Sequence, residues 1–175
     1  MSGAQFAYRT GLGCTDSQLT IYHHLQKSLD TGMESYIVQL DFSAAFDRLS
    51  HSDLLFKLKS IGAGGSVLSI CREFFSNRRQ RVVVDGATSE WIPIVDGVIQ
   101  GSVLGPLLFI IYTSEMFELL ENRLYAYAHD STLLTVVPKP AYRPAVTASL
   151  NTDLARIQEW CNRWCMILNP NKLWL

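Results

Sequence analysis

The sequence predicts an α+β fold in which an antiparallel sheet carries helices packed on one face. Three observations predict it. Stretches with helical apolar spacing alternate with extended stretches, and no repeat, low-complexity tract or linker divides them. Pairs of extended stretches meet at short turns, the connection open to antiparallel neighbours. And 48% of the 175 residues are hydrophobic, enough for one domain with a sizeable core but crowded for two.

The elements follow in order. The stretch TDSQLTIYHHLQKSLDTG (15–32) opens on Thr15 and Asp16 as cap candidates, carries Ile21, Leu25 and Leu29 at helical spacing, and stops at Gly32. ESYIVQLDF (34–42) reads as a buried strand ending at Asp41. SHSDLLFKLKSIG (50–62) and GSVLSICREFFSN (65–77) read as two helices separated at Gly62, Gly64 and Gly65. RQRVVVDG (79–86) and EWIPIVDG (90–97) form a predicted hairpin turning at Asp85–Gly86. From Ser102 to about Leu120 the chain reads as a buried helix whose first turns are restricted by Gly105–Pro106. LYAYAHDSTLL (124–134) reads as a second hairpin with His129 and Asp130 at its tip, and VPKPAYRP (137–144) as a loop. The last helix, LNTDLARIQEWCNRWCMIL (150–168), places Leu150, Leu154, Ile157, Cys161, Trp164 and Cys165 on one face. The phasing of Trp91, Trp160 and Trp164 assigns them to core packing rather than base stacking.

Composition narrows the function classes. With 18% charged residues and a net charge of -1, the chain lacks the overall basic balance that announces nucleic-acid binding, so any such binding uses local patches. The run NRRQR, with Arg78, Arg79 and Arg81, is the clearest of these. Cys14, Cys71, Cys161 and Cys165 have neither C-x-x-C spacing nor the density of a disulfide scaffold, which reads as reduced thiols in an intracellular protein. No signal segment opens the chain, and its longest apolar run, VLGPLLFIIY at 103–112, is about half the roughly 20 residues a membrane-spanning helix needs.

Asp41 stands at the end of an apolar strand and Asp130 at a strand turn, so adjacent strands would bring both carboxylates to one hard cation. Two such ions about 4 Å apart support in-line nucleotidyl transfer. The plain alternative, two solvated strand-end aspartates, fits the composition as well, because convergence is not visible in a sequence.

Three motifs carry a resemblance. VQLDFSAAFDRLSH (38–51), GVIQGSVLGPLLF (97–109) and YAHD (127–130) resemble the D-x-x-x-A-F-D, P-Q-G-S-x-x-G-P and F/Y-A-D-D motifs of the reverse transcriptase domain of non-LTR (LINE-like, jockey-type) retrotransposons. They occur in the family's order, with LNPNK (168–172) similar to its lysine motif and QFAYRTGLGCTD (5–16) to its fingers-side motif. The resemblance implies an RNA-directed DNA polymerase palm with part of the fingers and no thumb: one partial domain over 1–175, with 1–35 a fingers remnant and 36–175 the palm with fingers-side helices. It implies Mg²⁺, with Mn²⁺ as the alternative, and an RNA template, a DNA primer and deoxynucleoside triphosphates as partners. Oligomeric state and localisation are unreadable, and a nuclear site of action follows only from the family's mode of copying.

By the same resemblance, Asp41 and Asp130 are catalytic metal ligands and Phe46 is the bulky side chain that disfavours a 2′-hydroxyl. Gln100, Gly101 and Ser102 line the nucleotide and template side, Arg9 helps to hold the triphosphate, and Lys172 donates a proton to the departing pyrophosphate. Arg78, Arg79 and Arg81 meet the nucleic-acid backbone. Each has a plain structural reading as well: Phe46 a core aromatic, Ser102 a helix cap, Lys172 and the arginines solvated charges.

The chain departs from the family at three places. His129 stands where the Y-A-D-D box has its first aspartate, removing a charge and an oxygen ligand together. Ile99 occupies the proline position before Gln100. The chain ends at NKLWL, where the family continues with a strand and the thumb, leaving Leu173 and Trp174 at a cut edge. These departures lead to the expectation of little or no Mg²⁺-dependent polymerisation, or of a noncatalytic remnant that at most binds nucleic acid or a protein partner.

Overall fold

A computed structural model describes residues 5–170. The element order is α1 (Cys14–Asp30), β1 (Glu34–Leu40), α2 (His51–Ser60), α3 (Gly65–Phe75), β2 (Arg79–Gln80), β3 (Val83–Val84), β4 (Ala87–Thr88), β5 (Ile92–Pro93), α4 (Leu104–Thr113), β6 (Arg123–Tyr127), β7 (Asp130–Val137) and α5 (Arg143–Arg163). The chain divides into two compact units, Met1–Ala45 with Thr113–Leu175, and Phe46–Tyr112.

The first unit is built on an antiparallel sheet in the order β1-β7-β6. Alternation along the strands puts Val38, Leu40, Leu124, Leu133 and Val137 on one face, all 4% exposed or less. Helix α5 packs there, with Trp160 against Phe42 at 6.1 Å between ring centroids. Burying each such side chain stabilises the fold by roughly 1.5–3 kcal/mol. On the other face Phe6, Tyr125 and Leu134 form a small cluster against which Leu12, Ile21 and Leu25 pack, so α1 covers part of that side. The carboxylate of Asp16 accepts a hydrogen bond from Gly13 N at 2.7 Å and so secures the start of α1.

Several expectations change. Leu29 is 69% exposed, because the inward stripe of α1 runs through Ser17, Ile21, Leu25 and Ser28 and leaves position 29 one residue out of phase. Helix α5 begins seven residues early, at Arg143: Pro144 sits in its first turn, where no N–H partner is needed, so a proline read as loop punctuation is a helix starter. Its last turn ends at Trp164, and Cys165 leaves the buried face with φ +56° while Met166 N donates back to Cys161 O at 2.9 Å. Arg143 also pairs with Glu34 at the start of β1.

Within the second unit, α2 packs on α3, and Lys57 is buried with its ammonium donating to Tyr112 O at 2.8 Å. The expected long helix from Ser102 is α4 alone, followed by a 3₁₀ segment, Ser114–Glu118. The 79–97 hairpin forms in two pieces, β3 with β4 and β2 with β5, around the turn at Asp85 (φ +49°) and Gly86 (φ +82°). The pairing sums change by one residue between the pieces, which places one extra residue on the second arm as a bulge. Trp91 is not core: it is 53% exposed, and the Arg81 guanidinium lies 4.7 Å from its ring centroid.

Candidate metal centre

Strand register assembles the centre. β1 pairs with β7 antiparallel, and Leu40 lies opposite Ser131. One step further along the same register sets Asp41 opposite Asp130, so the convergence that composition left open follows from β1 and β7 being neighbours. Strands β6 and β7 are joined across the pair Tyr127–Asp130 by the two-residue turn Ala128–His129. Ala128 takes φ +56° and His129 does not take a positive φ, the sign pattern of a type II′ turn, which favours glycine and stores strain when alanine occupies it.

Asp41 is 7% exposed and its position is held from two sides. Its backbone carbonyl accepts from Asn169 N at 2.8 Å, and Ser43 N donates to Ile167 O at 2.8 Å, so residues 167–169 run antiparallel to the chain just after β1. Its Oδ2 accepts from Asn169 Nδ2 at 3.3 Å, and its Oδ1 lies 2.8 Å from His129 Nδ1. An ionised carboxylate only accepts, so Nδ1 carries the proton in that contact. His129 Nδ1 is 3.7 Å from Asp130 Oδ1, and one donor atom from each of the three residues lies within 4.8 Å of the others. Side-chain exposure rises outward, from 8% for Asp41 through 39% for His129 to 71% for Asp130. This set, one buried anchor and two open donors, fits a divalent ion that keeps solvent or substrate in its remaining positions. A cavity of about 640 Å³ adjoins it between α1 and the sheet, with Asp41 and Asp130 in its wall beside Tyr22, Ile37, Tyr125 and Tyr127.

The structure distributes the other expected residues as follows. Arg9 belongs to the first unit, where its guanidinium donates to Gln5 O at 3.1 Å. Lys172, Leu173 and Trp174 lie outside the described residues. Phe46, Gln100, Gly101 and Ser102 belong to the second unit, which brings them together: Val98 N donates to Phe46 O at 2.9 Å and Gln100 Nε2 to Asp47 Oδ1 at 3.2 Å. Phe46 is half-buried against Phe109, with centroids 5.2 Å apart. Gly101 has φ +80° but open space at its Cβ position, so glycine serves the backbone angle there rather than a close approach. Ser102 Oγ accepts from Gly105 N at 3.0 Å, the capping contact. Arg78 donates to Gly97 O at 3.1 Å, while Arg79 and Arg81 are exposed.

Two contributors escaped the sequence reading. Asn169 clamps Asp41, and the only signal for it was its place in LNPNK. Gly97 lies so close to Asp47 that an added Cβ would come within 2.9 Å of the Asp47 Cα and O, and it takes φ +84°. Nothing in the local pattern at the end of the predicted hairpin marks this close approach.

Over residues 1–174 the sequence matches the family described as reverse transcriptase (RNA-dependent DNA polymerase). The chain belongs to the reverse transcriptase family. Among curated proteins it is 31% identical to the RNA-directed DNA polymerase from mobile element jockey of Drosophila melanogaster, over 96% of this chain and 19% of that protein. The jockey polymerase of Drosophila funebris matches at the same level, and the probable RNA-directed DNA polymerase from transposon BS of Drosophila melanogaster is 29% identical, again over 96% of this chain and 19% of its length. The resemblance to jockey-type non-LTR reverse transcriptases is thus borne out, and the chain spans about a fifth of the length of these relatives. Among solved structures, telomerase from Candida tropicalis in complex with a fragment of telomeric RNA superposes with a TM-score of 0.66 at 15% identity, covering 98% of this chain and 30% of that one. Telomerase from Candida albicans, also with a telomeric RNA fragment, gives 0.65 at 16% identity, over 98% and 32%. These likenesses establish the palm-like α+β reverse transcriptase fold. No helix among the described residues is long and apolar enough to cross a membrane.

Proposed function

We propose that this chain carries the nucleotidyl-transfer centre of an RNA-directed DNA polymerase of the non-LTR type, copying an RNA template from a DNA primer with deoxynucleoside triphosphates, and that His129 impairs it. The observation that carries the reading is the convergence of Asp41 and Asp130, whose donor atoms lie within 4.8 Å of each other in the wall of one cavity. Asp41 and Asp130 hold the divalent ion, Mg²⁺ or Mn²⁺. Held there, the ion would supply charge stabilisation of the transferring phosphoryl group and would lower the pKa of the attacking hydroxyl. Asn169 fixes the orientation of the Asp41 carboxylate, so the charge presented to the ion needs no reorganisation.

In this reading residues 36–175 are the palm with fingers-side helices and 1–35 a fingers remnant. Phe46 sets deoxynucleotide selectivity by clash, and Gln100, Gly101 and Ser102 face the nucleotide and template. Arg9 contributes to the triphosphate site and Lys172 donates the proton to pyrophosphate. Of the arginine run, Arg79 and Arg81 meet the nucleic-acid backbone, since Arg78 is engaged with Gly97 O.

A second reading, a noncatalytic remnant that binds nucleic acid or a protein partner, is favoured by one contact: His129 Nδ1 occupies Asp41 Oδ1 at 2.8 Å, where an ion would otherwise be held. Losing one electrostatic donor of comparable weight costs about 10²–10³ in rate. Primer extension on an RNA template separates the two, comparing the chain as given with His129→Asp in Mg²⁺ and in Mn²⁺, and with Asp41→Ala as blank. Extension by His129→Asp alone supports the impaired polymerase. Folded proteins that all match the blank in both metals support the noncatalytic reading.

A further inference from the structure

The donors at the centre are two carboxylates and an imidazole, whereas Mg²⁺ favours oxygen ligands in near-ideal octahedral geometry and sheds water reluctantly. Nitrogen donors shift preference toward the later first-row ions, in the order that rises from Mn²⁺ through Co²⁺ and includes Zn²⁺. Ligands bound at about 2.0–2.2 Å to one ion stand about 3–3.5 Å apart. The observed separations of His129 Nδ1 from Asp41 Oδ1 and Asp130 Oδ1, 2.8 and 3.7 Å, bracket that range, and all three donor atoms lie within 4.8 Å of one another, within reach of side-chain rotation about one ion. Two carboxylates neutralise one dication, and the exposed Asp130 and His129 leave its outer face open. Asp41 Oδ1 is the oxygen beside His129 Nδ1, and Oδ2 lies 3.3 Å from Asn169 Nδ2.

We propose that Asp41, Asp130 and His129 form a single-ion site selective for Zn²⁺ and Co²⁺ over Mg²⁺, in which the ion replaces the hydrogen bond between His129 Nδ1 and Asp41 Oδ1 and the ring proton moves through solvent from Nδ1 to Nε2. The proposal rests on the same assignment of Asp41 and Asp130 as ligands, but it concerns binding rather than polymerisation. The cavity adjoining Asp41 and Asp130 supplies a route for the ion. Cys14 also lines that cavity and is the one competing soft ligand in its wall.

The test is a Co²⁺ titration of the full chain followed by visible absorption, with Zn²⁺ and Mg²⁺ as competitors and circular dichroism as the folding control. The expected result is a set of d–d bands that equimolar Zn²⁺ removes and a large excess of Mg²⁺ does not. His129→Asp should weaken Co²⁺ binding relative to Mg²⁺ by about tenfold, as an oxygen donor replaces the nitrogen, and let Mg²⁺ compete. Asp41→Ala should abolish the bands; should it fail to fold, the exposed Asp130→Asn replaces it. Co²⁺ binding unchanged relative to Mg²⁺ in His129→Asp overturns the proposal, as does loss of the bands in Cys14→Ser. The polymerase reading fails separately, by absence of primer extension in folded His129→Asp while the parent chain keeps its bands.

Discussion

Asp153 is the most demanding polar group in the unit that holds the carboxylates, and its removal has a calculable cost. It is 0% exposed on α5, yet it accepts from Glu121 N at 3.1 Å, Asn122 N and Asn122 Nδ2 at 2.8 Å, and Arg156 Nη1 at 3.0 Å. These contacts fasten α5 to the turn that launches β6, the strand leading into Ala128–His129. Asp153→Ala leaves two backbone N–H groups without their acceptor at about 1–3 kcal/mol each, for an expected loss of about 3–5 kcal/mol. Burial pushes the Asp153 carboxyl up, but the backbone N–H groups of Asn122 and Glu121, the Asn122 amide and Arg156 outweigh it and hold the carboxyl below its ordinary value. A group depressed on folding contributes stability above its unfolded pKa, about 3.9, and that contribution is lost as pH falls through the lower folded value. Urea unfolding of wild type and Asp153→Ala between pH 3 and 7 reads both effects: a constant gap near neutrality that narrows only below about pH 4. A gap under about 1 kcal/mol at pH 7 would refute the claim that the carboxylate organises this junction.

Gly97→Ala should destabilise by about 2–3 kcal/mol or more in chemical denaturation, since its Cβ would meet Asp47 backbone at 2.9 Å and its φ is positive; a loss under about 1 kcal/mol would show that this approach relaxes freely. At the turn between β6 and β7, thermal melts should find Ala128→Gly near neutral, strain relief offsetting backbone entropy, and Ala128→Val destabilised by about 1–3 kcal/mol; equal melts for the two would remove the strain argument. Iodoacetamide labelling of the native protein at pH 8, mapped by mass spectrometry, should modify exposed Cys14 and Cys165 and spare Cys71 and Cys161. Burial raises both spared thiols, Cys161 to about 12, so thiolate is scarce there; labelling of Cys161 as fast as Cys14 would contradict its burial.

Local patterns account for the elements that sequence reading located. β1, β6 and β7 announce themselves as short apolar runs bounded by turns, and α1, α2 and α3 by apolar spacing between glycine stops. Where reading erred, the deciding force was not local. Trp91 has strand phasing, but phasing tells which side a residue faces and not whether another layer covers that side. α4 gives way to a 3₁₀ turn at Ser114 with no glycine or proline to mark it. The centre is a sharper case. Asp41 and Asp130 are legible as strand-end carboxylates, yet their convergence depends on β1 choosing β7 as its neighbour, a pairing across about ninety residues that the motif resemblance implied and periodicity could not.

That register also bears on what His129 does, because position 129 is aimed at Asp41 by the turn and the strands and not by its own side chain. Replacing the imidazole should therefore alter the charge at a fixed place without altering the fold. In His129→Asp the 2.8 Å contact with Asp41 is lost and a third carboxylate faces two others. The lost hydrogen bond and a solvent-screened repulsion together should lower metal-free stability by about 1–2 kcal/mol. A divalent ion reverses the sign: saturating the three carboxylates at tenfold over the dissociation constant returns about 1.4 kcal/mol. Thermal melts with and without Mg²⁺ should show the His129→Asp protein less stable than the parent in chelator and more responsive to Mg²⁺. If His129→Asp matches the parent in chelator and gains nothing from Mg²⁺, position 129 does not face Asp41 and Asp130 in solution, and the charge argument for impairment falls with it.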